Sequence, residues 1–154
     1  MQKFTDVFDY NDGELYHKGT NTVATYVDSS HGYKRVFVFG RQWLSHRIIW
    51  LMFNDTLPKE IDHKDGDKTN NKIENLRPTS RSGNTANSAI RSDNKSGFRG
   101  VVWHKATNKW MAQTMLNGKR IHIGMFESKL EAALAYNYKA KEIFGDFARF
   151  NQVF

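Results

Sequence analysis

The chain has no cysteine among its 154 residues. Disulfides are therefore excluded, and so is a zinc-thiolate site. No stretch approaches the ~20 consecutive apolar residues that a membrane-spanning helix requires, so no membrane is expected as a partner. Near Met1 the charges of Lys3, Asp6, Asp9 and Asp12 interrupt any apolar run, and no signal peptide is expected. Heptads and other dimerisation signals are also missing. Negative charge is in short supply: 16 Asp and Glu stand against 23 Lys and Arg, a net charge of +7 with a pI near 9.6. Such a balance favours a polyanionic partner, through release of counterions from a phosphate backbone.

The imbalance is concentrated. Residues 1–95 carry 14 basic and 12 acidic side chains, whereas residues 96–154 carry 9 and 4. The shorter segment is thus the expected electrostatic grip. Hydrophobic residues make up 39% of the chain and aromatics 14%, enough for one domain or two small ones.

Residues 1–40 read as short strands of a small antiparallel sheet, with Asn11-Asp12-Gly13 as a turn and Val23–Val27 and Arg35–Phe39 as β-branched or aromatic runs. Lys18, Lys34, Arg35 and Arg41 give that sheet a candidate basic face. Residues 41–53 read as a helix with Trp43, Arg47, Trp50 and Leu51 on one side, stopped by Asn54-Asp55 and Pro58. Arg47 is a candidate phosphate contact.

The chemistry is expected in residues 59–90. Glu60-Ile61-Asp62-His63 reads as a strand, followed by a turn built on Asp65-Gly66-Asp67 and Asn70-Asn71. A second strand, Leu76-Arg77-Pro78-Thr79, precedes a helix capped by Ser80 or Ser82 that runs through Asn84 and Asn87 to about Ile90. One imidazole, one carboxylate and several amide oxygens gather in a short span, a set that suits a hard divalent cation on a phosphate. A calcium loop is a poor alternative. With Gly66 at its sixth position, Ile61, His63 and Lys72 would occupy the first, third and twelfth, and none is a carboxylate. Asp62 and His63 are sequence neighbours, so on a regular strand they point to opposite faces; a bulge or a strand end must intervene if both serve one phosphate.

Asp62-His63, Asn75 and Asn84, spaced 12 and 9 positions apart after His63, resemble the motif of the HNH homing endonucleases in its His-Asn-Asn variant. The text Asp-His-Lys-Asp-Gly-Asp-Lys-Thr-Asn-Asn-Lys-Ile-Glu-Asn-Leu-Arg carries the resemblance, and His46-Arg47 before Ile48-Ile49-Trp50 also fits that family. The resemblance implies a ββα-metal motif, with His63 as general base, Asn75 on the other ring nitrogen, and Asp62 and Asn84 as ligands of Mg²⁺, with Mn²⁺ as a substitute. It further implies double-stranded DNA as partner, a monomer or a dimer assembled on DNA, a phage-like mobile element, and the cytoplasm of a phage or bacterial host cell. A DNA-binding regulator without catalysis is the alternative, and an RNA-directed protein that stacks bases on Trp103 and Trp110 is a weaker one.

Residues 88–96 are small and polar, with 91–96 expected as a linker between a nuclease domain (1–90) and a second domain (97–154). Three strand-like runs follow, 98–103, 110–115 and 120–124, with a hairpin signal at Asn117-Gly118. The capping box Ser128-Lys129-Leu130-Glu131 opens a helix whose inner stripe is Ala133, Tyr136, Ala140 and Phe144, ended by Gly145. Ser96–Val101, Lys109–Ala112, Ile123–Phe126, Glu131–Tyr136 and Gly145–Asn151 resemble the plant ethylene-response-factor (APETALA-type) DNA-binding domain. That resemblance implies a sheet lying in the major groove, with Arg99 and Arg120 where the family's arginines stand. A lone helix leaves the other face of the sheet open, with Arg99, Lys109, Gln113, Arg120 and His122 available for it, and Trp103 is a further candidate DNA contact. Val102, Met115 and His122 depart from the plant pattern, which weakens base readout. The expected fold class is α+β: a small antiparallel sheet and helix leading into the ββα-metal motif, then a separate three-stranded antiparallel sheet on one helix.

Overall fold

The computed structural model describes residues 3–153. Its contacts divide the chain into two compact units, Met1–Thr79 and Ser80–Phe154. Both are mixed α+β.

In the first unit, β1 (Phe8–Asn11) and β2 (Glu14–His17) form a hairpin. Its two turn residues, Asp12 and Gly13, both have positive φ, 46° and 88°. That geometry belongs to the two-residue turn whose twist suits adjoining antiparallel strands. Next come β3 (Tyr26–Val27), β4 (Lys34–Val38) and β5 (Arg41–Leu44), a three-stranded antiparallel sheet in the order β3-β4-β5. The expected basic face is largely neutralised, because Lys18 pairs with Asp9, Lys34 with Glu14 and Arg35 with Asp28.

The helix expected over 41–53 begins four residues later, as α1 (Ser45–Phe53). Phe39 and Gly40, at φ 51° and 74°, fold the chain back on itself, and Arg41–Leu44 pair with Val38–Arg35 instead of coiling. Trp43 therefore stands on a strand, opposite Val36. The buried side of α1 holds Ser45, His46, Ile48 and Ile49, not the expected Trp43, Arg47, Trp50 and Leu51 stripe. Arg47 donates to the carbonyls of Pro58 (3.2 Å) and Lys59 (3.3 Å), which ties α1 to the segment entering β6. Then β6 (Glu60–His63) pairs with β7 (Leu76–Thr79) in an unbroken antiparallel register. Ile48, Ile49, Ile61 and Leu76 join Phe8, Leu15, Val36 and Val38 in one core.

The second unit opens with α2 (Arg81–Asn87), capped by Ser80, whose hydroxyl accepts from the Gly83 amide at 3.2 Å. The helix stops at Asn87, three residues short of the expected end. Residues 91–96 are not an unstructured spacer. Asn94 donates to the Phe98 carbonyl and accepts from Ser96 Oγ and the Gly97 amide, and Ser96 is buried. Beyond them, β8 (Val101–His104), β9 (Lys109–Leu116) and β10 (Lys119–Phe126) form an antiparallel sheet with β9 in the middle. α3 (Lys129–Phe144) starts with the expected capping box at Ser128 and Glu131 and buries Ala132, Ala133, Tyr136, Ala140 and Phe144. The small alanine side chains let its axis lie close to the sheet. Asn151 locks the chain's later residues onto the start of β8: its amide accepts from Arg99 N at 2.7 Å and donates to Arg99 O at 3.1 Å.

Gly100 sits where the sheet and α3 meet, at φ +69°. A Cβ there would lie 2.3 Å from the Tyr136 ring and 2.4 Å from the Gln113 carbonyl. Gly100→Ala is expected to destabilise this unit by roughly 2–5 kcal/mol, combining a left-handed backbone penalty with overpacking against a buried ring. A urea titration followed by tryptophan fluorescence checks it; an unmoved midpoint would contradict the close approach.

Candidate active site

β6 ends at His63, and the regular β6–β7 register sets Asp62 opposite Arg77 and His63 opposite Leu76. No bulge intervenes, so the two neighbours emerge on opposite faces of the strand pair, His63 from its last residue. Both are buried. Burying a carboxylate is costly unless it is paired. Arg77 supplies that pairing, with Nε at 2.9 Å and a terminal guanidinium nitrogen at 2.8 Å, both on Asp62 Oδ2.

The His63 ring is fixed from two sides. Its Nε2 lies 2.9 Å from Oδ1 of Asn71, which is itself buried. An amide oxygen only accepts, so in the neutral ring Nε2 carries the hydrogen and Nδ1 holds the basic lone pair. His46, from the first turn of α1, packs edge-on against His63, with ring centroids 5.0 Å apart and planes at 79°. Tyr33 closes the cluster, 5.5 Å from His46 and 6.1 Å from His63. Burial, reinforced by the nearby His63 and Arg47, pushes the His46 imidazolium down to a pKa of about 3. His46 is therefore neutral at working pH, and its Nδ1 has no hydrogen-bond partner among the described residues. Burial likewise raises the Tyr33 phenol, with Asp62 and Glu60 adding to the effect.

Asn75 does a different job from the one expected. Its Nδ2 donates to Asp65 Oδ1 (3.0 Å) and to the Asn70 carbonyl (2.8 Å), and its Oδ1 accepts from the Asp65 amide (3.2 Å). These bonds close the turn between β6 and β7. Asp65 also accepts from Asn70 Nδ2 and from the Asp67 amide. Burial alone would raise the Asp65 carboxyl, but the bonds from Asn70, Asp67 and Asn75 outweigh it and hold the pKa below the usual range. Asn75 thus shapes the loop that delivers Asn71, and Asn71 is the amide that reaches the ring. Sequence reading took Asn71 for a turn former, and nothing in an Asn-Asn pair distinguishes a ring partner from a turn residue.

Asn84 lies on α2, in the other compact unit. Among the described residues no three His, Cys, Asp or Glu side chains gather to hold an ion. The donor set still fits a magnesium-type cation. Such ions bind through one or two carboxylates, keep several waters, and take further oxygens from a substrate phosphate. Asp62 is the carboxylate the sequence offers for that role, here buried against Arg77 on the strand face opposite His63.

The candidate DNA contacts of the second unit divide. Strand alternation puts Lys109, Gln113, Arg120 and His122 on the face of the sheet turned away from α3, since Arg120 pairs with Met115 and His122 with Gln113. Lys109 also pairs with Glu127 at 2.7 Å. Trp103 falls on the other face, sharing it with Val101 and Ala112, and packs edge-on against Trp110 at 5.1 Å. Arg99 precedes β8 and is half-buried; burial, then Arg149, lowers its pKa while Tyr136 opposes that shift. The expectation that Arg99 joins the open face is therefore corrected: only the four side chains on alternating positions do so.

The HNH endonuclease family matches residues 44–86, which run from the end of β5 to α2. An uncharacterised HNH endonuclease of Acanthamoeba polyphaga mimivirus is 32% identical over 124 residues, covering 79% of this chain and 64% of that protein. The chain thus spans less than two thirds of that relative's length. Protein 3.8 of Escherichia phage T7 is 33% identical over 109 residues, covering 68% of this chain and 88% of that protein. No solved structure matches. The family match stops at residue 86, and the expected ethylene-response-factor likeness of residues 97–151 finds no support in these comparisons.

Proposed function

We propose that the chain, whose residues 44–86 match the HNH endonuclease family, is a metal-dependent endonuclease of the homing type that hydrolyses phosphodiester bonds in duplex DNA. The observation that carries the reading is the buried His63 ring held at Nε2 by buried Asn71, whose amide oxygen fixes the hydrogen on Nε2 and so makes Nδ1 the basic nitrogen of the proposed general base. Asp62 and, from α2, Asn84 are the proposed oxygen ligands of Mg²⁺, with Mn²⁺ as a substitute. When bound, the cation relieves charge on the phosphoryl oxygens and on the leaving oxygen. Arg77 holds the Asp62 carboxylate in place through two hydrogen bonds to Oδ2. Asn75 acts one step back, by fixing the loop that carries Asn71. The products are a 5′ phosphate and a 3′ hydroxyl. Lys109, Gln113, Arg120 and His122 are the proposed DNA contacts of the second unit, supported by its charge and by their shared sheet face.

One such site cuts one strand, so nicks are the expected product of a single chain. A supercoiled plasmid carrying the chain's own genomic locus tests the reading. Open circles are expected with Mg²⁺ or Mn²⁺ and none after EDTA. Retained DNA binding with no cut in any divalent metal would favour the non-catalytic regulator instead.

A further inference from the structure

The second unit contains a cavity of about 730 Å³, formed wholly by residues 85–144 and separate from the His63 cluster. Its size falls within the roughly 300–1,000 Å³ of small-ligand sites. The end of α2 and the segment 88–96, whose residues 91–96 the sequence marked as a linker, form one wall; residues 99–105, β9, Arg120 and two residues of α3 form the rest.

Two features define what would fit. The first is charge. Arg91, Lys95, Arg99, Lys105 and Arg120 line the cavity against a single carboxylate, Asp93, and Arg91 already takes both oxygens of Asp93 at 3.0 Å. Arg91 aside, four cations line the cavity, whose one carboxylate is the paired Asp93, and Arg99 among them is half-buried. The second is a flat apolar surface. Trp103 is 46% exposed, and its ring is propped edge-on by Trp110, so stacking on it costs little side-chain ordering. Gln113 Oε1, which also lines the cavity without a hydrogen-bond partner among the described residues, sits on the sheet face opposite Trp103 and is not part of that set. A phosphate and a planar ring together describe a nucleotide, and aromatic stacking of unpaired bases is tolerant of base identity.

We propose that this cavity receives one unstacked nucleotide of the bound DNA, with its base on Trp103 and its phosphate on Arg99. The proposal rests on the reading that the chain binds DNA, and not on the residues that cut it. It gives Trp103 and Arg99, which lie off the open sheet face, a task distinct from groove contact. It also explains why residues 94–98 are pinned by their own hydrogen bonds: a ligand site needs a rigid wall.

The test compares two labelled probes by fluorescence anisotropy with the full chain, in EDTA to prevent cutting. One is a fully paired duplex; the other is the same duplex with a single unpaired thymine. The expected result is about tenfold tighter binding of the bulged probe. Trp103→Ala is expected to bring that ratio close to one, and Trp103→Phe to restore most of it; recovery by Phe separates stacking from a folding defect. Equal affinity of the two probes for the unaltered chain, or a preference that survives Trp103→Ala, would overturn the cavity assignment while leaving DNA binding intact. Binding of neither probe would overturn the DNA reading as well. Displacement of the bulged probe's advantage by free thymidine monophosphate, with the paired duplex still bound, is a further supporting outcome. A monophosphate that displaces both probes equally would instead place free nucleotides on the groove face and count against the proposal.

Discussion

Replacing His63 with alanine is expected to lower the cleavage rate by at least about 10²–10⁴-fold while DNA binding persists, because positioned general bases contribute on that scale. The ring is buried between Asn71, His46 and Tyr33, so the lost proton acceptor has no substitute at the same place. Binding persists because the positive charge is concentrated in residues 96–154, far along the chain from the ring. Asn71→Ala tests the same idea one step out. Removing the group that fixes a catalytic ring's tautomer costs roughly 10–100-fold in comparable sites, so this variant is expected to fall between the unaltered chain and His63→Ala. Single-turnover nicking gives the rates and gel retardation the binding. Unchanged turnover in His63→Ala would end the base assignment. An Asn71→Ala rate equal to the unaltered chain's would show that Asn71 is a loop residue alone.

The contrast between Asn71 and Asn75 shows how far the sequence could be read. Elements specified by local chemistry were legible. β6 and β7 stand on the expected residues because Asp65-Gly66-Asp67 forces a turn between two apolar-anchored runs. Ser80 caps α2 and the Ser128–Glu131 box opens α3 because a Ser hydroxyl, joined at α3 by an acid three residues on, satisfies end amides whatever the tertiary context. The Asn117-Gly118 hairpin followed from its two positive φ angles, 51° and 78°. Features that depend on tertiary partners were not legible. Arg41–Leu44 carry a helical pattern, yet the ladder to β4 claims them. Either Asn71 or Asn75 has the right amide for the ring; only the three bonds that hold Asn75 inside the loop decide between them. His46 enters the sequence reading only through the His46-Arg47 text, and its packing against the His63 ring needed the fold. The second unit's sheet and helix were foreseen, whereas the division of Arg99 and Trp103 from the open face needed the register.

His46 carries the other large effect, and its direction with pH follows from burial. In the folded chain its pKa stands at about 3, against an ordinary value of 6.5. Between those two pH values the unfolded chain holds a proton on this ring and the folded chain does not. The unfolded state then binds more protons, so stability must rise with pH across that window and fall as acid is added. The contribution is fully present above pH 6.5 and is lost progressively toward pH 3. At 1.36 kcal/mol per pH unit the loss amounts to at most about 5 kcal/mol, a large part of a small domain's stability. Replacing His46 with leucine removes the titrating group and the buried Nδ1 that lacks a partner, at similar volume. Its stability near pH 7 is therefore expected to be close to that of the unaltered chain, since removing an unsatisfied buried polar atom offsets the imperfect fit. Below pH 6 the two chains are expected to diverge, with His46→Leu the more resistant to acid. Urea midpoints measured from pH 4 to 7 decide it. Parallel curves would mean that His46 protonates equally well in the folded state, and that the ring beside His63 is not sealed from water. Divergence would show instead that the base is braced by a neighbour that stays uncharged throughout the working range.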